Sequence, residues 1–175
     1  MDRTNITKQE IKIRITGLSN GHHEYNFSAD PSILGLGGNF KERVEINSLI
    51  DKTSHQIYMQ TQIGTTGVFQ CDRCLDDYEQ TIETSYKMFY LSNNTGTLKT
   101  PTEEIKLIGP ETTDIDLTDD IRQMVLLSVP LKLLCADECN GLCPRCGFNL
   151  NRGSCNCKEV ISDPRYQGIQ DLLDK

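Results

Sequence analysis

The amino-acid sequence predicts an α+β fold: an antiparallel, barrel-like β-sheet, one main helix and a cysteine-rich C-terminal module. Three observations carry this. Apolar and polar residues alternate with period two through much of the first hundred positions. A single stretch of helical period lies at 117–128. Six of the eight cysteines crowd into 135–157 among Gly and Asn, a composition too irregular for a packed helix or sheet.

The elements follow in order. Ile11, Ile13 and Ile15 alternate with Lys12, Arg14 and Thr16, as in a strand with one buried face. Residues 22–27 are its expected hairpin partner across Ser19, Asn20 and Gly21, a turn signal. Residues 30–39, opening on Asp30-Pro31 and closing on Gly37-Gly38-Asn39, read as a loop. Strand-like runs rich in Thr and other β-branched residues follow at 40–50, 55–63, 65–71 and 78–91. A polar loop is expected at 92–101 and a short strand at 104–108. Asp116 is positioned to cap the helix, and Asp119 and Asp120 suit the positive end of its dipole. Leu117, Ile121, Met124 and Val125 share its apolar face, and Pro130 ends it. A short amphipathic helix carrying Ile169, Leu172 and Leu173 is expected to close the chain. The organisation predicted is a β-rich domain over 1–130, ending in the helix, and a module over 131–175.

Composition narrows the function classes. The formal net charge is −7 with a pI near 4.9, unsuited to coating nucleic acid by charge alone. No apolar run approaches the roughly 20 residues that span a bilayer. The polar start, residues 1–10, lacks the apolar stretch of a signal peptide. A cytoplasmic protein is expected. In a reducing compartment its eight cysteines suit metal ligation better than disulfides.

Cys143-Pro144-Arg145-Cys146-Gly147 is the most informative motif. Two residues between cysteines let a tight turn aim both thiolates at one tetrahedral zinc ion, about 2.3 Å from each sulfur. Gly147 can take the positive φ that turns backbone amides toward those sulfurs. Cys155 and Cys157, behind a turn-rich spacer, are the expected completing ligands. Cys71 and Cys74 fall between two predicted strands, where a hairpin tip would present them to Cys135 and Cys139. Two closed sites, and two zinc ions, account for all eight. Reduced, partly buried thiols at one or both pairs, and a mixed partition with Cys139 joining the 143–146 turn, stay open on spacing alone.

Other chemistries fit less well. A disulfide oxidoreductase places its C-x-x-C at a helix N-terminus, and neither pair here precedes a predicted helix. His22-His23-Glu24 superficially suggests a zinc deaminase, but no Pro precedes Cys71 or Cys143. The spacing follows neither ferredoxin pattern. No Ser-His-Asp set or phosphate-binding glycine loop is visible, and a four-thiolate site has no vacant position for a substrate. The expectation is a protein that is not an enzyme and takes no small-molecule substrate.

At this point a family resemblance emerges. The order of Cys71-Asp72-Arg73-Cys74-Leu75, the acidic Asp114-Ile115-Asp116-Leu117 and a proline-ended helix resembles the bacterial YceD family. So does the distal block of Leu134-Cys135, Cys139 through Gly147, Asn149-Leu150-Asn151, Cys155-Asn156-Cys157 and Asp163-Pro164-Arg165. The likeness covers roughly residues 68–173. It implies an accessory role in large-subunit ribosomal RNA accumulation, with ribosomal RNA or a large-subunit ribosomal protein as partner. The resemblance also implies members that lack the distal cysteines, with zinc then a stabiliser of one branch of the family. Residues 1–128 hold 12 basic and 19 acidic side chains, whereas 129–165 hold five basic and four acidic. Arg73, Arg145, Arg152 and Arg165 are the candidate RNA contacts. Docking of the acidic half on a basic ribosomal protein is the competing expectation.

Overall fold

The structure is a computed structural model that describes residues 11–92 and 104–157. Its centre is a five-stranded sheet in the order β2-β3-β4-β5-β6. The strands are β2 (Gly21–Ala29), β3 (Val44–Lys52), β4 (Gln56–Gln70), β5 (Asp77–Ser92) and β6 (Glu104–Ile108). A separate two-stranded ribbon pairs β1 (Lys12–Arg14) with β7 (Asp114–Asp116), placing Ile13 opposite Ile115. The helix α1 spans Thr118–Leu127.

Alternation dictates the two faces. Ile46, Ile50, Met59, Ile63, Ile82 and Met88 point to one side, where β1, β7, the 30–40 loop and α1 cover them. The helix contributes Leu117, Ile121 and Val125, all fully buried. The ribbon is fastened to the start of α1 by the Ile11 amide donating to Thr118 Oγ1 at 2.9 Å. The Leu117 amide also donates to the Ile11 carbonyl at 2.9 Å. Asp116 accepts the Thr118 amide at 2.9 Å, so the expected capping aspartate meets the backbone at the helix entrance. Ser128 closes the last turn onto the Met124 carbonyl, ahead of Pro130.

Four expectations need correction. The sheet is open, not barrel-like: β2 and β6 are its opposite edges and do not pair. Covering the apolar face with the ribbon and the helix removes the need to close it. The sheet is also mixed, because β6 runs parallel to β5. Residues 22–27 pair with β3 and not with the Ile11–Ile15 strand, whose partner is β7. The runs at 55–63 and 65–71 form one continuous strand through Gly64. The 92–101 loop in large part, and the closing helix with Ile169, Leu172 and Leu173, lie outside the described residues.

The length of β4 and β5 has a consequence for the site. β3 accompanies β4 only as far as Gly64. From Thr65 to Gln70, β4 continues with β5 as a two-stranded arm, and its tip is the 71–76 connection. The 37–40 loop braces this arm: the Val68 amide donates to the Asn39 carbonyl at 2.8 Å. Phe40 also meets Phe69 edge-on, with centroids 5.7 Å apart. A Cβ on Gly67 would lie 2.6 Å from the Phe69 ring and 3.3 Å from the Phe40 ring. Gly67→Ala is therefore expected to destabilise the arm by about 1–3 kcal/mol, the usual range for overpacking. Denaturant midpoints check this, and a change below about 0.5 kcal/mol would mean that the ring pair gives way freely.

Candidate metal centre

The 71–76 connection is a tight knuckle. The Cys71 amide donates to the Asp76 carbonyl at 2.9 Å and the Leu75 amide to the Cys71 carbonyl at 3.0 Å. Residues 143–148 repeat the geometry. There the Cys143 amide donates to the Phe148 carbonyl at 2.8 Å and the Gly147 amide to the Cys143 carbonyl at 2.9 Å. The residue after the second cysteine has positive φ in both: Gly147 at 71° and Leu75 at 61°. Glycine takes this conformation freely, whereas leucine accepts it at a cost of roughly 1–2 kcal/mol. The sequence pointed to Gly147 and missed Leu75; the signal was its equivalent position one residue past a C-x-x-C.

After α1 the chain returns to the first knuckle. Asp72 and Leu133 exchange two bonds, amide to carbonyl at 2.8 Å and amide to Asp72 Oδ2 at 2.7 Å. This return delivers Cys135 and Cys139. The cysteine sulfurs then gather into two groups of four: Cys71, Cys74, Cys135 and Cys139 (site A), and Cys143, Cys146, Cys155 and Cys157 (site B). Within each, all sulfurs lie within 4.8 Å of one another. Cys139 belongs with the first knuckle, so the mixed partition does not occur.

The separations are informative. Cys71 to Cys139 is 3.8 Å and Cys74 to Cys135 is 3.6 Å, far beyond the roughly 2.05 Å of a disulfide. Four sulfurs about 2.3 Å from one tetrahedral ion would be about 3.8 Å apart. The thiolates of a polynuclear iron–sulfur cluster are shared among two or more irons, so all four would not stand this close together. Site A is the more enclosed, with Cys71, Cys74 and Cys139 buried. In site B only Cys143 is buried.

Electrostatics within each group point toward a cation. The Cys74 amide, with lesser help from those of Cys135 and Arg73, pulls the Cys71 thiol down to about 6 against the effect of burial. The amides of Cys146 and Arg145 pull Cys143 down to about 6. Asn151 lowers Cys139 through its side-chain amide. The partners move the other way. Cys135 is pushed up to about 12, first by Cys74, and Cys157 to about 12, first by Cys146. Each knuckle thus stabilises thiolate charge that crowded sulfurs cannot all carry unless a positive ion sits among them. Both groups fit the donor set and geometry of four-thiolate zinc.

The candidate RNA-contacting arginines separate. Arg73 Nη1 donates to the Cys139 carbonyl at 2.8 Å, so it serves site A. Arg152 pairs with Asp76 at 3.0 Å. Arg145 is exposed and has no ion pair among the described residues, and Arg165 lies outside them. No helix among the described residues is long and apolar enough to cross a membrane.

The arm and both sulfur groups fall within one family match. The family described as "Large ribosomal RNA subunit accumulation protein YceD" matches residues 59–173. The chain belongs to the YceD family. Among its YceD relatives is a chloroplast protein of Arabidopsis thaliana, named large ribosomal RNA subunit accumulation protein YCED homolog 1. It is 33% identical over 66 residues, which is 38% of this chain and 21% of the relative. The Zea mays protein of the same name is 46% identical over 61 residues, 34% of this chain and 19% of the relative. An uncharacterized protein of Mycobacterium tuberculosis is 26% identical over 131 residues, 74% of this chain and 62% of the relative. The chain thus spans about a fifth of the plant YceD proteins it matches. No solved structure matches it significantly.

Proposed function

We propose that this YceD protein is a non-enzymatic cytoplasmic accessory factor for the accumulation of large-subunit ribosomal RNA. Two zinc ions would fasten its C-terminal segment to the β4–β5 arm as a structural element. The observation that carries the reading is the family match over 59–173, which takes in the arm and all eight cysteines. Plant relatives named for accumulation of this RNA support it. Closed four-thiolate sites are suited to holding a shape and leave no position for a substrate.

Arg145 is the strongest candidate for a phosphate contact. It stands exposed inside the second knuckle, held by a rigid turn, so its guanidinium loses little freedom on meeting phosphate. Arg145→Glu should keep two zinc ions and the fold but weaken association with large-subunit particles several-fold. The loss should be deeper at low salt, where screening is least. Pulldown from cells with and without ribonuclease, at two salt concentrations, is the measurement. Association that disappears with ribonuclease supports RNA contact.

A second reading has its own observation. Glu24, Glu45 and Glu83 stand exposed with Asn26, Asn47 and Gln62 on the uncovered face of the sheet, with Lys87 nearby. Meanwhile Arg73 and Arg152 are engaged in internal contacts. That distribution favours an adaptor that binds a basic ribosomal protein without touching RNA. Ribonuclease-resistant association, unchanged by Arg145→Glu, would select it.

A further inference from the structure

Sites A and B are adjacent along the chain, the last ligand of one standing just before the first of the other. Cys139 of site A and Cys143 of site B are separated by only residues 140–142. That link is pinned to the first knuckle, because the Leu142 amide donates to the Arg73 carbonyl at 3.1 Å. Gly141 has a φ of 71°, and a Cβ there would lie 3.0 Å from the same carbonyl oxygen. The two knuckles therefore cannot shift independently.

The loop that site B closes reaches back to site A at three further points. Asn149 Nδ2 donates to Asp76 Oδ2 at 2.7 Å, and Arg152 Nη2 to Asp76 Oδ1 at 3.0 Å. Asp76 lies two residues past the ligand Cys74. Most directly, Asn151 Nδ2 donates to the Cys139 sulfur at 3.1 Å. Asn151 lies between the site B ligands Cys146 and Cys155, yet its amide neutralises charge on a site A ligand. It is held there by its Oδ1 accepting the Asn140 amide at 2.8 Å and its own amide donating to Asn149 Oδ1 at 3.0 Å.

We propose that the two four-cysteine sites bind zinc cooperatively as one unit, with Asn151 the positioning residue that links them. This rests on the zinc reading above and goes beyond it. An ion in site B fixes the 147–155 loop, which presents the Asn151 amide to Cys139 and so strengthens site A. By reciprocity, an ion in site A strengthens site B by the same factor. Hydrogen-bond partners of metal ligands typically change affinity by about 10–100-fold, and that is the coupling expected here.

The test uses the full chain, stripped of metal under reducing conditions and titrated with zinc. Native mass spectrometry counts the empty, singly and doubly loaded forms, and a chromophoric chelator supplies affinities. In the wild type the singly loaded form should stay scarce at half saturation. Cys157→Ser, which breaks site B, should weaken the remaining full site about 10-fold or more. Asn151→Ser keeps a short polar side chain but loses the reach to Cys139; it should bind two ions while accumulating the singly loaded form. In the cobalt(II)-substituted protein the same change should move the thiolate-to-metal charge-transfer band to lower energy, leaving the ligand-field bands of four-thiolate coordination in place. Leu127→Ala, on the exposed side of α1 and outside both sites, should match the wild type. Two ions loading independently in the wild type, or a site A affinity unaltered by Cys157→Ser, would overturn the coupling and spare the zinc reading. Uptake of fewer than two ions would overturn both.

Discussion

With zinc held as proposed, a chelator under reducing conditions is expected to unfold residues 131–157 and loosen the 71–76 tip while the five-stranded sheet stays folded. Residues 131–157 hold no named helix or strand, only the isolated Leu142–Asn149 bridge. Their buried members are largely cysteines: Cys139 packs with Cys71 and Cys74 in a small cluster, flanked by Tyr78 and Leu134. That is too little apolar surface to offset the conformational entropy of some 27 ordered residues, at roughly 1–2 kcal/mol each for backbone alone. Metal ligation, with folding free energy of order 10 kcal/mol per structural site, is the largest single favourable term open to them. The sheet has a different source of stability, the continuous core running from Ile11 to Val125. Hydrogen exchange with and without chelator reads the two regions separately. Protection lost across β2 to β5 as well would show that the sheet depends on the metal. Unchanged protection over 131–157 would remove zinc from the account of this segment.

Much of this arrangement was legible in the sequence. Where it was not, the reason is mostly distance along the chain. The alternation of Ile11, Ile13 and Ile15 marks a strand, but nothing local says that its partner is Asp114–Asp116, about a hundred residues away. Those three residues read as an acidic segment because only Ile115 among them is apolar. Gly64 looked like a break, yet a glycine in mid-strand with neighbours on both sides can continue the ladder, and β4 runs through it. The two C-x-x-C pairs were readable because that spacing constrains geometry within a few residues, whereas the cysteines that complete each group of four were fixed only by the fold. The contacts that join the two groups were not readable. Asn151 to Cys139 and Arg152 to Asp76 bridge separate loops, and the spacer asparagines carry no signature of the sulfur or carboxylate they will meet.

Ile121→Ala should be the most damaging single truncation on the helix, lowering stability by about 2–5 kcal/mol. Ile121 is 0% exposed and its neighbours on the same face, Leu117 and Val125, are equally enclosed. All three belong to the core that the helix shares with the ribbon and the sheet, so the lost side chain has neighbours on every side. Those neighbours are held by other bonds. The Leu117 amide is tied to Ile11 and Thr118 Oγ1 accepts the Ile11 amide, so the helix entrance cannot slide inward to fill the space. A site that cannot collapse loses the transfer free energy of the side chain and keeps the cavity as well. For a chain of this size the melting temperature should fall by roughly 2–4 °C per kcal/mol. Leu127→Ala, one residue from the same helix but 78% exposed, is the control and should stay within about 0.5 kcal/mol of the wild type. Thermal melts of both variants, prepared identically, decide the matter. A loss below about 1 kcal/mol at Ile121 would mean that α1 lies on the sheet without being part of its core. The five-stranded sheet would then need another element to cover its apolar face.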